Sequence, residues 1–177
     1  METINFEIVS AQSNIDWTGK KVTGAHNGTI ALKEGTLTLN NGQLSGGNFV
    51  IDTTSIKILD ITDPDTNAQF AGHLFSADFF ATDQFPAASF DITSIDQVKD
   101  GDHLITGNLT IKGITHAAGF DATITSSNDS LNLVGKLIVD RTKYDIKFRS
   151  GNFFKDLGDT LIYNDFELNV SVTAKAA

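Results

Sequence analysis

The sequence predicts an all-β fold, an antiparallel sheet of about eight strands closed into a barrel or folded as a sandwich, with one short helix near residues 66–74. Three observations carry this: apolar residues recur every second position through most of the chain, turn signals separate the runs, and a single segment breaks the period. Alternation of this kind marks strands with one buried face and one wet face.

The runs follow in order. Ile4, Phe6 and Ile8 share a parity, as do Ile15 and Trp17, then Ile30 and Leu32, then Leu37 and Leu39. Phe49 and Ile51 form the next row, followed by Phe90 and Ile92, and by Ile105, Leu109 and Ile111. Phe120, Ala122 and Ile124 precede Leu131, Leu133, Leu137 and Val139, and the longest row is Ile162, Phe166, Leu168, Val170 and Val172. "NNG" at 40–42, "KDGD" at 99–102 and "SSNDS" at 126–130 have the composition of hairpin turns. Glycines inside the runs, such as Gly107 and Gly135, fit bends or close backbone approach.

From Thr53 to Phe85 the alternation lapses. "DPDTNAQFAGHLFSADFF" carries a Pro-Asp turn, a capping candidate in Thr66, and Phe70 and Leu74 four apart, which predicts a short helix over 66–74 and then an irregular turn to Pro86. Six of the 13 phenylalanines fall between 70 and 90. A second irregular stretch runs from 140 to 159, and no linker or repeat divides the 177 residues, so one domain is expected.

Composition narrows the function classes. A net charge of −9 with no Lys/Arg run argues against a nucleic-acid partner. The absence of cysteine excludes disulfides, thiolate metal sites and a cysteine nucleophile. No stretch approaches the ~20 apolar residues of a membrane helix. The N-terminal "METINFEIVSAQ" has Glu2 where a leader would be basic, so the localisation stays open between a cytoplasmic protein and a processed, exported one.

Residues with chemical potential are few. His26, His73, His103 and His116 lack partners at metal-ligand spacing, so neither a metal nor another cofactor is expected. His73 and Asp78 could form an acid–base pair if both reach a cavity, but no nucleophile elbow accompanies them, and the preferred reading is that they fasten the helix and its turn. The only arginines, Arg141 and Arg149, share the second irregular stretch with Tyr144; these three are the candidates for meeting a polar head group at a cavity mouth. Phe6, Trp17, Phe49, Phe90, Phe120 and Phe166 all fall on inward parity. An eight-stranded barrel either fills its interior with side chains or encloses one small ligand, and the pattern is compatible with both.

Several segments resemble the YceI-like, polyisoprenoid-binding family: "NIDWTGKKVTGAHNGTI", "FVIDTTSI", "GHLFSADFFATDQFPAASFDITSI", "GNLTIKGITHAAGF" and "DRTKYDIKFRSGNFFKDLGDTLIYNDFELNV". His73, Leu74, Ser76, Asp78, Phe79, Phe80 and Pro86 match the first characteristic motif, and Leu109, Gly113 and Thr115 the second. The chain departs from the pattern in having Gly72 before His73 and Phe75 after Leu74, so a head-group contact does not carry over to that spot. The resemblance implies a lipocalin-like barrel, bacterial origin, frequent periplasmic export and homodimers. It also implies a long-chain amphiphilic ligand such as an isoprenoid, an isoprenoid quinone or a fatty-acid derivative. The expected ligand-binding set is then Trp17, Phe49, Leu74, Phe79, Phe80, Phe90, Ile105, Leu109, Phe120, Tyr144 and Phe166 with Arg141 and Arg149. A catalytic use of His73 and Asp78 on an apolar substrate, and a ligand-free secreted or stress-related barrel, are the alternatives.

Overall fold

The computed structural model describes residues 3–99, 101–127, 129–151, 157, 158 and 161–176. Among the described residues nine strands form one antiparallel sheet: β1 (Thr3–Ile8), β2 (Asn14–Lys21), β3 (Gly24–Asn40), β4 (Gln43–Ile58), β5 (Ala87–Lys99), β6 (Asp102–Ile111), β7 (Ile114–Ser126), β8 (Ser130–Asp140) and β9 (Ile162–Ala176). A helix, α1 (Pro64–Phe75), links β4 to β5. Neighbours run β3-β2-β9-β8-β7-β6-β5-β4, and pairing of β3 with β4 closes the ring.

The ring has eight lanes because β1 and β2 share one. β2 pairs with the first half of β3 and with Ile162 to Ser171 of β9, whereas β1 pairs with Thr36 to Asn40 of β3 and with Ala174 to Ala176. A 3-10 turn at Ser10–Gln12 interrupts the lane. Nine strand segments thus satisfy an eight-stranded, lipocalin-like barrel.

Bulges explain where sequence alternation misled. Ile30 and Leu32 share one parity, Leu37 and Leu39 the other, yet all four belong to the single strand β3, whose register against β4 shifts at Leu32/Glu34. One extra residue in a strand flips every later side chain to the opposite face. Likewise the lapse expected from Thr53 is a bulge, and β4 continues to the buried Ile56 and Ile58. The bulge is held by a local turn in which the Asp52 carboxylate accepts from the Thr54 amide at 2.9 Å, and the Ser55 hydroxyl donates to the Asp52 carbonyl. Thr53 then docks onto the start of β5, its hydroxyl donating to Phe85 O at 2.8 Å and its amide to Pro86 O at 3.1 Å.

The helix is longer than 66–74, and Thr66 is not its cap. Asp63 caps it, accepting the Thr66 amide at 3.0 Å, with Pro64 at the first helical position where its missing N–H leaves nothing unpaired. Asn41-Gly42 and Lys112-Gly113 form tight two-residue turns with positive φ at both positions, as the twist of hairpins requires. Of the irregular stretch 140–159, residues 152–156 and 159 lie outside the described residues; what precedes them is a 3-10 turn, Arg141–Tyr144, with Arg141 and Tyr144 buried.

The interior is divided. At the end of the β3–β4 turn it is solid: Phe6, Leu37, Leu39, Leu44, Leu131, Leu133, Val172 and Ala174 are all buried. Phe49, Phe90 and Phe120 stack above them, with ring centroids 6.2 Å and 5.8 Å apart. At the other end, α1, the turn after it and the 141–151 segment gather over an opening.

Candidate ligand-binding cavity

That opening is a cavity of about 340 Å³. Its walls follow from strand parity. β2 contributes Ile15 and Trp17, β4 Ile51, Thr53 and Ile56, β6 Leu109 and Ile111, and β9 Ile162, Phe166 and Leu168. Phe70, His73 and Leu74 of α1 cross the mouth, followed by Phe79 and Phe80, and Ile146, Phe148 and Arg149 complete the lining, Phe148 in ring contact with His73 and Phe79.

The mouth is built largely from aromatic contacts. The His73 ring meets Phe79 at 4.9 Å and Phe148 at 4.6 Å, both edge-on, and Phe80 meets Phe166 at 6.4 Å. His26, reaching in from β3, packs on Phe70 at 4.8 Å, and its Nδ1 lies 2.8 Å from Asp60 Oδ2. Trp17 donates its indole N–H to Lys57 O at 3.2 Å, and Gly28 gives it room, since a Cβ there would fall 1.7 Å from that carbonyl.

Trp17, Leu74, Phe79, Phe80, Leu109, Phe166, Arg141 and Arg149 all line the cavity. Phe49, Phe90, Ile105 and Phe120 are buried below it and do not line it. Phe49 and Phe90 are opposite one another, one step beneath the Ile51–Ala88 pair, which does. Alternation says which face a residue takes but not how far along the barrel it lies. Tyr144 turns away from the cavity onto His116, at 5.3 Å edge-on. Burial raises its phenol above the usual value, with the nearby Asp140 charge adding to the effect.

Arg141 is the polar centre of the wall. It is 4% exposed and donates to three carbonyls: Nε to Tyr163 O at 3.0 Å, Nη1 to Ile146 O at 2.8 Å and Nη2 to Ile162 O at 3.0 Å. Burial pulls its pKa down, opposed by the charge of Asp140, and the group remains a cation at neutral pH. It therefore ties the irregular stretch to the start of β9 as well as facing the cavity.

His73 Nε2 lies 3.2 Å from Asp78 Oδ2, and the Ser76 hydroxyl donates to His73 O. The imidazole faces the cavity; the Asp78 side chain is 58% exposed and does not line it. Among the described residues no three His, Asp or Glu side chains stand together as a metal site.

Phe70, Phe148 and Lys21 also line the cavity and were not in the ligand-binding set expected from the sequence. For Lys21 a signal was available: it falls on the same parity as Ile15 and Trp17.

A family model described as a YceI-like domain matches residues 6–174. The chain belongs to the YceI-like family. Protein YceI of Shigella flexneri is 36% identical over 135 residues, covering 74% of this chain and 65% of that protein. The chain thus spans just under two thirds of that relative's length. Protein YceI of Salmonella arizonae is 34% identical over 149 residues, covering 82% of this chain and 71% of that protein. Among solved structures, Burkholderia cenocepacia BcnA superposes with a TM-score of 0.74 at 17% identity, covering 94% of this chain and 98% of BcnA. A polyisoprenoid binding domain from Saccharophagus degradans, implicated in plant cell wall breakdown, gives 0.71 at 13% identity, covering 98% of this chain and 99% of that domain. At those identities the structural likeness is one of fold.

Proposed function

We propose that this YceI-like barrel sequesters or carries a long-chain amphiphile, an isoprenoid, isoprenoid quinone or fatty-acid derivative, with its tail in the cavity and without chemistry on it. The observation that carries the reading is the cavity itself. Aliphatic and aromatic side chains line most of it, and its volume of about 340 Å³ is within the range of small-molecule sites. Likeness in fold to the Saccharophagus degradans domain, which is described as polyisoprenoid binding, adds support.

Tail burial supplies the driving force, about 25 cal/mol per Å² of apolar area, or at most about 0.8 kcal/mol per methylene before ordering costs are subtracted. Affinity should therefore climb with chain length until the tail reaches the Phe49–Phe90–Phe120 layer. Organic extraction of the purified protein followed by mass spectrometry tests the reading, with a homologous series of linear alcohols titrated against the extracted protein. A co-purifying long-chain compound and length-dependent affinity are expected. Lipid-free protein in repeated preparations, with no alcohol binding at any length, would sink it.

A further inference from the structure

The cavity carries a charge opposite to that of the molecule. The chain has 22 acidic and 13 basic side chains, yet its cavity-lining residues include Lys20, Lys21, Arg141 and Arg149 against one carboxylate, Asp165. Lys20 and Asp165 sit at the outer rim, where both also line a shallow exterior groove, and Lys20 is engaged by Glu167 at 3.7 Å. Three cations remain. Among the described residues none of these three has an ion-pair partner.

All three converge on one residue. Arg141 donates to Ile162 O and Tyr163 O, the Arg149 carbonyl accepts the Ile162 amide at 2.9 Å, and Lys21 stands opposite Ile162 in the β2–β9 ladder. They are graded in depth: Arg141 is buried, Lys21 half-buried, and Arg149 exposed with its guanidinium 4.9 Å from the Phe148 ring centroid. Arg141 has a structural explanation in its three carbonyls, although among the described residues two of its five N–H groups have no acceptor. Lys21 has none. It ends the inward row Ile15, Trp17, Gly19, placing a lysine where an apolar residue would continue the wall. A partly desolvated cation without a counter-ion is unfavourable, and an anion brought beside it in that low-dielectric setting gains more than it would in open water.

We propose that the occupant of the cavity carries an anionic head, a carboxylate or phosphate, seated at Ile162. Lys21 and Arg149 contact the head, and Arg141 contributes fixed positive charge from the wall. This rests on the tail-binding reading above and adds the head-group class to it. A neutral amphiphile of equal length would leave Lys21 and Arg149 without an anionic partner among the described residues.

The test separates tail from head. Dodecanoate and dodecanol, and farnesyl monophosphate and farnesol, are compared on the lipid-extracted protein by displacement of a fluorescent long-chain probe at low ionic strength. Each anion is expected to bind about tenfold tighter than its alcohol. The double variant Lys21→Gln, Arg149→Asn should bring that ratio to within about twofold; asparagine suits the left-handed backbone at Arg149, φ 52°. An advantage confined to the carboxylate or to the phosphate supports the proposal and identifies the head. Equal binding of anion and alcohol overturns it while leaving tail binding intact, as does an advantage that survives the double variant. Failure of all four probes removes the tail reading and this one with it. Should the double variant unfold, the wild-type protein decides: the anion's advantage must shrink as salt rises from about 0.01 to about 1 M, and a salt-independent advantage overturns the proposal.

Discussion

Phe120 lies against Gly135 of the neighbouring strand, so closely that a Cβ on Gly135 would fall 2.7 Å from Cδ2 and 2.8 Å from Cε2 of the ring. Phe90 and Gly107 repeat the arrangement, with a Cβ 2.7 Å from the Phe90 ring tip. Two of the three rings in the layer beneath the cavity, Phe120 and Phe90, thus use a glycine on the next strand as their seat.

Gly135→Ala should therefore destabilise the barrel by about 1–3 kcal/mol through overpacking. Because Asp121 O would also lie 2.9 Å from the new Cβ, backbone as well as ring must give way. Adding Phe120→Leu should recover part of the loss, and urea denaturation of the two single variants and the double measures the coupling. Purely additive losses would mean that the ring is not what the alanine meets.

The cavity can be closed without disturbing that layer. Ile30 of β3 is half-buried and lines the opening. Ile30→Trp should fill the tail's space, weakening long-chain alcohol binding by at least about tenfold while the melting temperature falls by only a few degrees. Unchanged affinity would place the tail elsewhere. Phe120→Leu, below the cavity, is the matched control and should reduce stability more than binding.

The eight lanes of the barrel were legible because its strands are wet on one side: Ile162, Phe166, Leu168, Val170 and Val172 announce β9 without ambiguity. Bulges were not legible. The parity switch between Leu32 and Leu37 looks in sequence like a break between strands, and only the shared pairing with β4 shows it to be one. The cavity was half legible for a related reason. Phe49 and Phe166 have the same signature in sequence, yet one is packed against Phe90 and the other faces open space, since height along the barrel depends on strand stagger. Arg141 was legible as a candidate through scarcity; its three carbonyl partners, two of them twenty or more residues away, were not.

Arg141 makes a separable prediction. Arg141→Met keeps the bulk but leaves the carbonyls of Ile146, Ile162 and Tyr163 without their charged donor, which should cost about 3 kcal/mol. Arg141→Lys should recover only part, because an ammonium cannot reach three divergent carbonyls as a planar guanidinium does. Thermal melts of the three proteins check the order wild type, Lys, Met. A methionine variant as stable as wild type would show that the segment is held by its apolar contacts alone.

The helix over the mouth should loosen in acid before the barrel does. Burial works to raise the Asp60 carboxyl, but the Asn27 amide and the His26 imidazole outweigh it and hold the group below the ordinary aspartate value. Asp63 is held down by the Thr66 hydroxyl and then by the Thr66 amide. A carboxyl whose folded pKa is depressed contributes stability above its unfolded value, about 3.9, and that contribution is lost as pH falls through the folded value. Both groups anchor the approach to α1, so protection against amide exchange across residues 65–75 should fall below about pH 4 while the β8–β9 ladder stays protected. Asp63→Asn, which caps without titrating, should flatten the part of this response in the first helical turn, and Asp63→Ala should remove protection there at neutral pH as well. Loss of protection at the same pH in helix and barrel would show instead that α1 is no independent cover and that the mouth opens only when the barrel unfolds.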